Sequence, residues 1–438
     1  MLNYKLITAS PHAKLAAADI KMIEEIVGWK RPAFFPKLGR SAWLKLTQPI
    51  TVSLNNSHIH IQSVKIKGVG LFNQHNEQIK PSSVPFYRRI LHLGFKPDGT
   101  FTLVPSPPVP IGGMPLDRGI MEFFISGMLN MHGCPAQVPL RLYQYDEADM
   151  TFDIGRNVPT SFCVTVTGLP TDNCLRVDAI DNWMHSDTIS KNEPIFQVLD
   201  TWADSLNVPE HAYKPLATWA KISYLYGQTL RKFHEIGYYR HNGSIINLIY
   251  SPQHKATYFT DLDSSRPLVE CSAITKPLQH IRDIASYMAY IPRRLLNKRY
   301  IHDIPHERIF EDDMYNPFKQ VLLGYYHDVP QNIVEKVMHH IRKDYERRYS
   351  IALQRHANRL NNVVIDDLSY QERYYLINDI YWVNFDELFP FYISVMWNLH
   401  EHSELGKCYP HQISKTDIYG NIAELISPEF AQYLNENT

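Results

Sequence analysis

The spacing of apolar residues changes character near the middle of this chain of 438 residues, and that change limits the possible folds more than any other feature. The segment 50–72 alternates apolar and polar residues, which is the pattern of a half-buried strand. The segment 214–236 carries apolar residues three and four positions apart, which is the pattern of an amphipathic helix. The sequence therefore predicts an α+β, bilobal fold with a β-rich N-lobe over residues 1–185 and a helical C-lobe over residues 186–438.

Shorter patterns divide the two lobes into elements. Asn55 and Asn56 predict the turn of a hairpin within the first strand-rich stretch. A stretch rich in Pro and Gly over 73–115 predicts a long excursion with little regular structure. The remaining N-lobe predictions are helices over 13–27 and 116–131 and strands over 138–145, 161–168 and 174–180. Further C-lobe helices are predicted within 272–290, 321–325, 333–358 and 388–399.

The charge balance argues against a nucleic-acid partner. The chain has 44 basic and 45 acidic residues, and they are intermixed without a block of one sign. The five cysteines are widely spaced without a CxxC pair, which favours neither a disulfide framework nor a zinc site. The sequence shows neither a signal-peptide core nor an apolar run of membrane-spanning length. We expect a cytoplasmic protein that binds neither nucleic acid nor membrane; an effector secreted without a leader would show the same pattern.

A site for a metal-bound polyphosphate needs three kinds of group, and candidates for each lie in order along the chain. The groups are a cation for the phosphates, an acid that holds this cation, and oxygen ligands for the metal. The cation candidates are Lys65 and Lys67, which strand alternation places on one face. Gly68 favours Lys67, because it allows close approach to the backbone. The alternative is a pair of solvated lysines that protect a sheet edge.

The acid candidate is Glu122, the one carboxylate within the apolar helical pattern of 119–131. A buried acid beside apolar neighbours needs a partner. The alternative is a solvent-facing residue stabilised near the start of the helix. Glu122 is therefore a candidate for holding the cation.

The candidate metal ligands are Asn247 and Asp261. Asn247 lies in an apolar run, where a polar amide must find a partner. Asp261 follows a predicted strand over 256–259. Amide and carboxylate oxygens are hard donors that suit Mg²⁺. The alternatives are an Asn that forms a turn and an Asp that caps a helix.

These residues carry a resemblance to a known superfamily. Arg240-His241-Asn242, Asn247 and Asp261-Leu262-Asp263 resemble the catalytic loop and the metal-binding triplet of the protein-kinase-like superfamily. The upstream part is more similar to the selenoprotein O family, whose Lys-Gly-Ala-Gly signature resembles Lys67-Gly68-Val69-Gly70. Other similar segments are 120–126 (IMEFFIS), 133–135 (GCP) and Leu175-Arg176-Val177. The similarity covers roughly residues 60 to 290.

The resemblance implies a bilobal protein-kinase-like fold and a transferase that moves AMP or phosphate from Mg-ATP to a hydroxyl acceptor. The implied cofactors are ATP and Mg²⁺, and the acceptor is an unidentified protein or small molecule. Lys67 and Glu122 would form an ion pair, and Arg176 would bind phosphate. Asn247 and Asp261 would hold the metal.

The sequence departs from the family pattern at the catalytic loop. Asn242 stands where a kinase has its catalytic aspartate, and an amide cannot accept a proton as a carboxylate does. Losing a general base typically costs about 10²- to 10⁴-fold, and Asp263 could act as the base or as a second metal ligand. We therefore expect an active enzyme whose catalytic group comprises Asn242, Asp261 and Asp263. The alternative is a catalytically impaired pseudokinase that binds ATP or a partner.

Overall fold

The computed structural model of the protein describes most of the chain. The described residues are 2–35, 41–55, 57–72, 78–79, 91–95, 101–105, 112–146, 151–153, 159–184, 194–240, 245–271, 273, 275–297, 301–355 and 385–408. Over these residues the protein has mixed α and β structure, with a five-stranded antiparallel sheet and several helices. The prediction of a mixed fold is confirmed at this level. Within the same ranges no helix is both long enough and apolar enough to cross a membrane.

The elements follow one another along the chain. The strands are β1 (Tyr4–Ala9), β2 (Ser41–Leu54), β3 (Ser57–Lys67), β4 (Leu71–Phe72), β5 (Gln78–Ile79), β6 (Leu91–Phe95), β7 (Phe101–Pro105), β8 (Val138–Tyr145), β9 (Thr151–Asp153), β10 (Pro159–Ser161), β11 (Cys163–Leu169), β12 (Tyr238–Tyr239), β13 (Leu248–Ser251), β14 (Ala256–Phe259) and β15 (Arg266–Pro267). The helices are α1 (Ala17–Val27), α2 (Leu116–Met131), α3 (Ile180–Met184), α4 (Pro194–Ser205), α5 (Lys214–Glu235), α6 (Thr275–Leu295), α7 (Pro317–Tyr325), α8 (Gln331–Arg355), α9 (Phe385–His400) and α10 (Glu404–Lys407).

The main sheet has the strand order β1-β8-β11-β3-β2, and all neighbouring strands are antiparallel. Alternation along β3 gives this sheet two different faces. Val64 and Ile66 are fully buried in the core that the sheet shares with α1, and burying each side chain contributes about 1.5–3 kcal/mol. Lys65 and Lys67 point to the other face, where the register pairs Lys67 with Thr165. Along β3 the second face of the sheet is therefore polar although it is buried.

Helix α2 packs over this second face, against β8 and β11. The approach is close at Gly119, where a Cβ atom would lie 2.1 Å from Cys163 Sγ, so only glycine fits there. The helix spans the residues that its periodicity predicts and is followed by Gly133, whose φ of 70° suits a helix end. Glu122, one turn beyond Gly119, is thereby held above the lysines.

A larger core lies among helices α3 to α9 and the hairpin of β13 and β14. Ile125 and Leu129 of α2 also belong to this core, so α2 lies between the sheet and the helical part. Helices α5 and α7 cross at glycines, and a Cβ atom at Gly324 would lie 2.1 Å from the Tyr224 carbonyl oxygen. The helical patterns predicted for the second half coincide with α5 to α9 to within about five residues over the described ranges.

One strand prediction is wrong. Residues 174–180 form an irregular segment, a 3₁₀ turn at Val177–Ala179 and the start of α3. Val177 and Ile180 are both buried in the helical core, and their three-residue spacing suits a helical turn. The window is too short for a period of two to be distinguished from a period of 3.6.

Two predictions fall largely outside the described residues. The proposed lobe boundary at residue 185 lies within 185–193, which the structure does not describe, so the division into two lobes stays a prediction. Most of the excursion over 73–115 also lies outside the description. Its described residues include β5, β6 and β7, of which β6 and β7 pair as an antiparallel hairpin.

Candidate functional site

Two lysines and three carboxylates from three parts of the fold form a buried ion cluster. Lys65 Nζ lies 3.3 Å from Glu122 Oε1, and Lys67 Nζ lies 3.2 Å from Glu122 Oε2. Lys67 Nζ also contacts Asp261 Oδ1 directly and lies 3.4 Å from Asp263 Oδ1. Lys65 Nζ is 3.9 Å from the same Asp261 oxygen. The ion pair between Lys67 and Glu122 is therefore present, and Lys65 shares the same glutamate.

The burial of these groups excludes the surface alternatives that the sequence left open. Strand β3 is an interior strand, because it pairs with both β2 and β11. The side chains of Lys65 and Lys67 are only 6% and 5% exposed, and that of Glu122 is 0% exposed. The lysines are thus not protectors of a sheet edge, and the glutamate does not face solvent.

The two aspartates are positioned by the 3₁₀ turn Leu262–Ser264, which follows β14 and contacts α2. Leu262 is fully buried and fixes the turn in the helical core. Arg118 of α2 also approaches this turn, with its Nη1 atom 3.9 Å from Asp263 Oδ2. Helix α2 therefore brings both Glu122 and Arg118 close to the aspartates.

Asp261 has a left-handed backbone, with φ of 61° and ψ of 56°. This conformation costs a residue with a Cβ atom roughly 1–2 kcal/mol, although Asp and Asn tolerate it better than most. Its side chain makes no helix-capping hydrogen bond, which excludes the capping alternative. Strained residues of this kind persist where their surroundings fix them and are frequent at functional sites. Here the contact with Lys67 holds the side chain in place.

Burial and charge act in opposite directions within the ion cluster. Burial alone would raise the pKa of the Glu122 carboxyl, but Lys67 and Lys65 outweigh burial and hold this pKa below its ordinary value. Burial lowers the pKa of the Lys65 ammonium group, and the opposing effects of Glu122 and Asp261 only partly compensate. The glutamate is therefore ionised at neutral pH, and its charge is what makes two adjacent buried lysines tolerable.

Gln137 connects the ion cluster to the rest of the fold, and sequence reasoning missed it. Its Nε2 atom donates to Glu122 Oε1 at 2.6 Å and to Ser126 Oγ at 3.3 Å, while its Oε1 atom accepts from Thr167 Oγ1 at 3.3 Å. Its backbone N–H donates to the Phe259 carbonyl oxygen at 2.8 Å. One buried glutamine thus links α2, the sheet and β14. A single polar residue before a strand gives no sequence signal of this role.

Asn247 and Asp261 lie at the same end of the hairpin formed by β13 and β14. The Thr260 N–H donates to the Asn247 carbonyl oxygen at 3.0 Å. The Asn247 side-chain oxygen accepts from Arg176 Nη1 at 3.3 Å, and the same Nη1 donates to the Ile246 carbonyl oxygen at 2.8 Å. The structure therefore places Arg176 against Asn247. The phosphate role of the arginine and the metal role of the asparagine stay predictions.

The chain that leads into the loop before Asn247 is firmly anchored. Arg240 is buried, and its guanidinium lies 4.2 Å from the centroid of the Phe259 ring. The Arg240 backbone N–H donates to Asp283 Oδ2. Residues 241–244 lie outside the described residues, so the catalytic role predicted for Asn242 is neither supported nor contradicted.

The carboxylates of the ion cluster suit a hard divalent cation. One oxygen each of Glu122, Asp261 and Asp263 lies within 4.8 Å of the others. Across the described ranges no other group of three His, Cys, Asp or Glu side chains meets this distance. Carboxylate oxygens are the preferred ligands of Mg²⁺. The structure places Asp261 beside Glu122 and Asp263. The sequence had instead suggested Asn247 and Asp261 as the two metal ligands.

The comparisons with known proteins do not show a family for this chain. No protein-family model matches the chain, and no curated protein matches it. Among solved structures, one titled "WaaP in complex with acyl carrier protein" is 9% identical and aligns over 80% of this chain and 99% of that chain, with a TM-score of 0.33. A likeness of this size carries no argument about fold or activity.

Proposed function

We propose that the protein is an ATP-dependent, kinase-like transferase that moves AMP or phosphate from Mg-ATP to a hydroxyl acceptor. One observation carries the proposal: Lys67 of an interior strand lies between Glu122 of a helix and Asp261 and Asp263 after a hairpin. A lysine paired with a helix glutamate, close to a metal-binding aspartate, is the set of groups that protein kinases use to hold Mg-ATP.

Each group of the ion cluster has a defined task in this proposal. Lys67 would contact phosphate oxygens, and Glu122 would keep its ammonium group in place. Asp261 and Asp263 would hold Mg²⁺, which neutralises the charge of the phosphates when it is bound. Arg176 would offer a second positive charge to the phosphates.

The transfer itself requires a bond exchange at phosphorus and an acceptor for one proton. The acceptor oxygen would bond to phosphorus while the bond to the leaving ADP breaks, or the bond to pyrophosphate when AMP is transferred. Asn242 cannot take the hydroxyl proton. The Asp263 carboxylate is the candidate acceptor, and its Oδ2 atom lies 3.9 Å from Arg118 Nη1. The proton goes to Asp263 where Asp261 alone holds the metal, and to water where Asp263 is itself a metal ligand.

A catalytically impaired pseudokinase is the second candidate, and two observations favour it. Asn242 replaces the aspartate expected of a kinase. The side-chain oxygen of Asn247 is bound to Arg176, whereas a metal ligand must turn its oxygen to the cation. Such a protein would bind nucleotide or a partner without turnover.

Turnover with labelled ATP separates the two candidates. We expect purified protein to transfer label to itself or to an added acceptor, from the α-phosphate if AMP moves and from the γ-phosphate if phosphate moves. The variant Asp261→Asn should lower this rate by about 10²-fold or more, the range seen when one electrostatic group of an active site is lost. Asn tolerates a left-handed backbone as well as Asp does, so the effect reports the lost charge.

The matched control is Asp172→Asn, which removes an exposed carboxylate 3.5 Å from Lys45. This variant should retain the wild-type rate. Absence of transfer from either phosphate by the wild-type protein, or equal rates for wild type and Asp261→Asn, would exclude the enzyme. The pseudokinase would then still show a rise in melting temperature with Mg-ATP, because a ligand of the native state stabilises it.

A further inference from the structure

The guanidinium of Arg118 is mostly buried, yet it makes no hydrogen bond with the residues that the structure describes. The side chain is 19% exposed, and its one ion-pair contact within the described ranges is with Asp263, where Nη1 lies 3.9 Å from Oδ2. This separation is too long for a hydrogen bond. A guanidinium has five N–H donors in a planar fork, which matches the oxygens of a phosphate or a carboxylate. Arg118 therefore offers its donors to a ligand beside the aspartate turn.

A second arginine lies on the segment that carries Asp263. Arg266 Nη1 donates to the carbonyl oxygens of Asp263 and Ser265, at 2.9 and 2.7 Å. Both acceptors are neutral, so these bonds hold the guanidinium in place without compensating its charge. The Asp263 carboxylate already has a cation, because Lys67 Nζ lies 3.4 Å from its Oδ1 atom. The turn therefore carries positive charge that its own carboxylate does not fully neutralise.

The proposed transfer determines where the acceptor must lie relative to Arg118. Where Asp263 takes the proton, the acceptor hydroxyl must come within about 2.6–3.2 Å of its carboxylate. Lys67 lies at Oδ1, which leaves Oδ2 for the hydroxyl. Arg118 Nη1 is 3.9 Å from the same Oδ2 atom. A group about two or three bonds from the reacting hydroxyl would therefore lie within reach of the Arg118 guanidinium.

We infer that Arg118, supported by the charge of Arg266, forms a subsite for a phosphate group of the acceptor. The acceptor is then a small hydroxyl compound with a phosphate a few bonds from the reacting hydroxyl. This inference rests on the proposed function and adds the class of acceptor to it. A phosphate monoester carries about two negative charges at pH 7, which suits two arginines better than the single charge of a carboxylate. Arg118 can bind two of its oxygens through parallel N–H bonds.

The test is a calorimetric titration of inorganic phosphate into the full chain saturated with Mg²⁺ and AMP-PNP, an ATP analogue that does not transfer its terminal phosphate. The analogue occupies the proposed nucleotide site, so added phosphate reports binding outside it. We expect Arg118→Gln to weaken the binding of phosphate by about 10- to 100-fold, the range for hydrogen bonds to charged groups. The affinity of this variant for Mg-AMP-PNP should equal that of the wild type.

Arg31→Gln is the matched control, with the same side-chain change. Arg31 also lies beside a single carboxylate, with Nε 3.8 Å from Glu25 Oε2, but it follows α1, which packs in the core on the other face of the main sheet. This variant should bind phosphate as the wild type does. Arg118→Lys keeps the charge and loses the planar fork, so its affinity for phosphate should fall between those of the wild type and Arg118→Gln.

The possible outcomes separate this inference from the proposed function. Absence of phosphate binding to the saturated wild type, or equal affinity in Arg118→Gln, would overturn the subsite. Weaker binding of AMP-PNP to Arg118→Gln would assign the arginine to the nucleotide and also overturn it. All three results leave the transferase proposal standing, whereas no binding of Mg-AMP-PNP to the wild type would remove that proposal and the inference with it. If circular dichroism shows that Arg118→Gln is unfolded, Arg118→Lys and the wild-type titration decide.

Discussion

At Glu122 one carboxylate compensates two buried ammonium groups. Replacing it by Gln keeps the shape and removes the charge, so Lys65 loses its nearest anion and Lys67 loses one of its three carboxylates. Breaking a buried ion pair by removing one partner costs about 3–5 kcal/mol. We expect Glu122→Gln to lower the free energy of unfolding in urea by this amount.

The control for this prediction is Glu346→Gln, which removes an ion pair with Arg342 on the surface of α8. The two side chains are 55% and 45% exposed, and pairs of this kind contribute about 0.3–0.5 kcal/mol. A loss of stability in Glu122→Gln no larger than in this control would show that the two lysines do not depend on the glutamate.

Residue types and spacing predicted part of this site, because a charged residue in or beside an apolar pattern can be recognised from the local sequence. Lys67, Glu122 and Asp261 stood out because each is a charged residue at the edge of, or inside, an apolar pattern. That Lys65 and Lys67 share one glutamate depends on how β3 lies beneath α2, and Gln137 meets Glu122 only through this packing. The sequence around these residues gives no signal of either contact.

At the scale of elements, the crossing of α5 and α7 depends on two glycines that let the helix backbones touch. A Cβ atom at Gly324 would lie 2.1 Å from the Tyr224 carbonyl oxygen, and one at Gly227 would lie 2.4 Å from the Val321 carbonyl oxygen. Alanine favours a helix by up to about 1 kcal/mol over glycine. Forcing the two backbones apart costs about 1–3 kcal/mol, so we expect Gly324→Ala to lower the free energy of unfolding.

A glycine in α2 provides the matched substitution. At Gly127 the nearest atom to an added Cβ would be Pro139 Cγ at 3.6 Å, an ordinary contact. Gly127→Ala should therefore stabilise the protein by about 0.5–1 kcal/mol through helix propensity alone. Denaturation curves of both variants check the pair. Stabilisation by Gly324→Ala would show that the helices do not meet at this glycine.

Elements could be predicted from the sequence where a periodic pattern was long. Helix α2 was predicted to the residue, because sixteen residues repeat one spacing and a glycine follows the end. The segment 174–180 was predicted as a strand, because a window of this length fits either period. Its identity is decided by Val177 and Ile180, which are buried in a core built mainly of residues distant in sequence.

At the scale of the whole molecule, β14 joins the two main cores. Tyr258 belongs to the core of the sheet and α1, whereas its neighbour Phe259 belongs to the helical core. The Phe259 backbone N–H donates to the Pro135 carbonyl oxygen at 3.1 Å, which ties the strand to the chain between α2 and β8. The aspartates of the ion cluster follow this strand directly. The position of Asp261 relative to Lys67 is therefore set by contacts that connect both cores.

Buried histidines make the folded state less stable as the pH falls. Burial lowers the pKa of His400 to about 3 and that of His306 to about 4, and it also lowers the pKa of His234 and of His280. In an unfolded chain a histidine has a pKa of about 6.5. Below that pH the unfolded state binds protons that the folded state does not, so stability falls as the pH falls. At pH 5 the loss is about 2 kcal/mol each for His400 and His306.

His400 allows the cause of this acid sensitivity to be tested. Neither of its ring nitrogens has a hydrogen-bond partner among the described residues, and its ring packs edge-on against those of His280 and Tyr326. His400→Phe keeps an aromatic ring and removes one proton-binding group. Urea unfolding between about pH 8 and pH 4 should show the free energy of wild type falling below about pH 6.5. In the variant the fall should be shallower by about 1.4 kcal/mol per pH unit. Equal slopes for the two proteins would mean that His400 carries its proton in the folded state as readily as in the unfolded one.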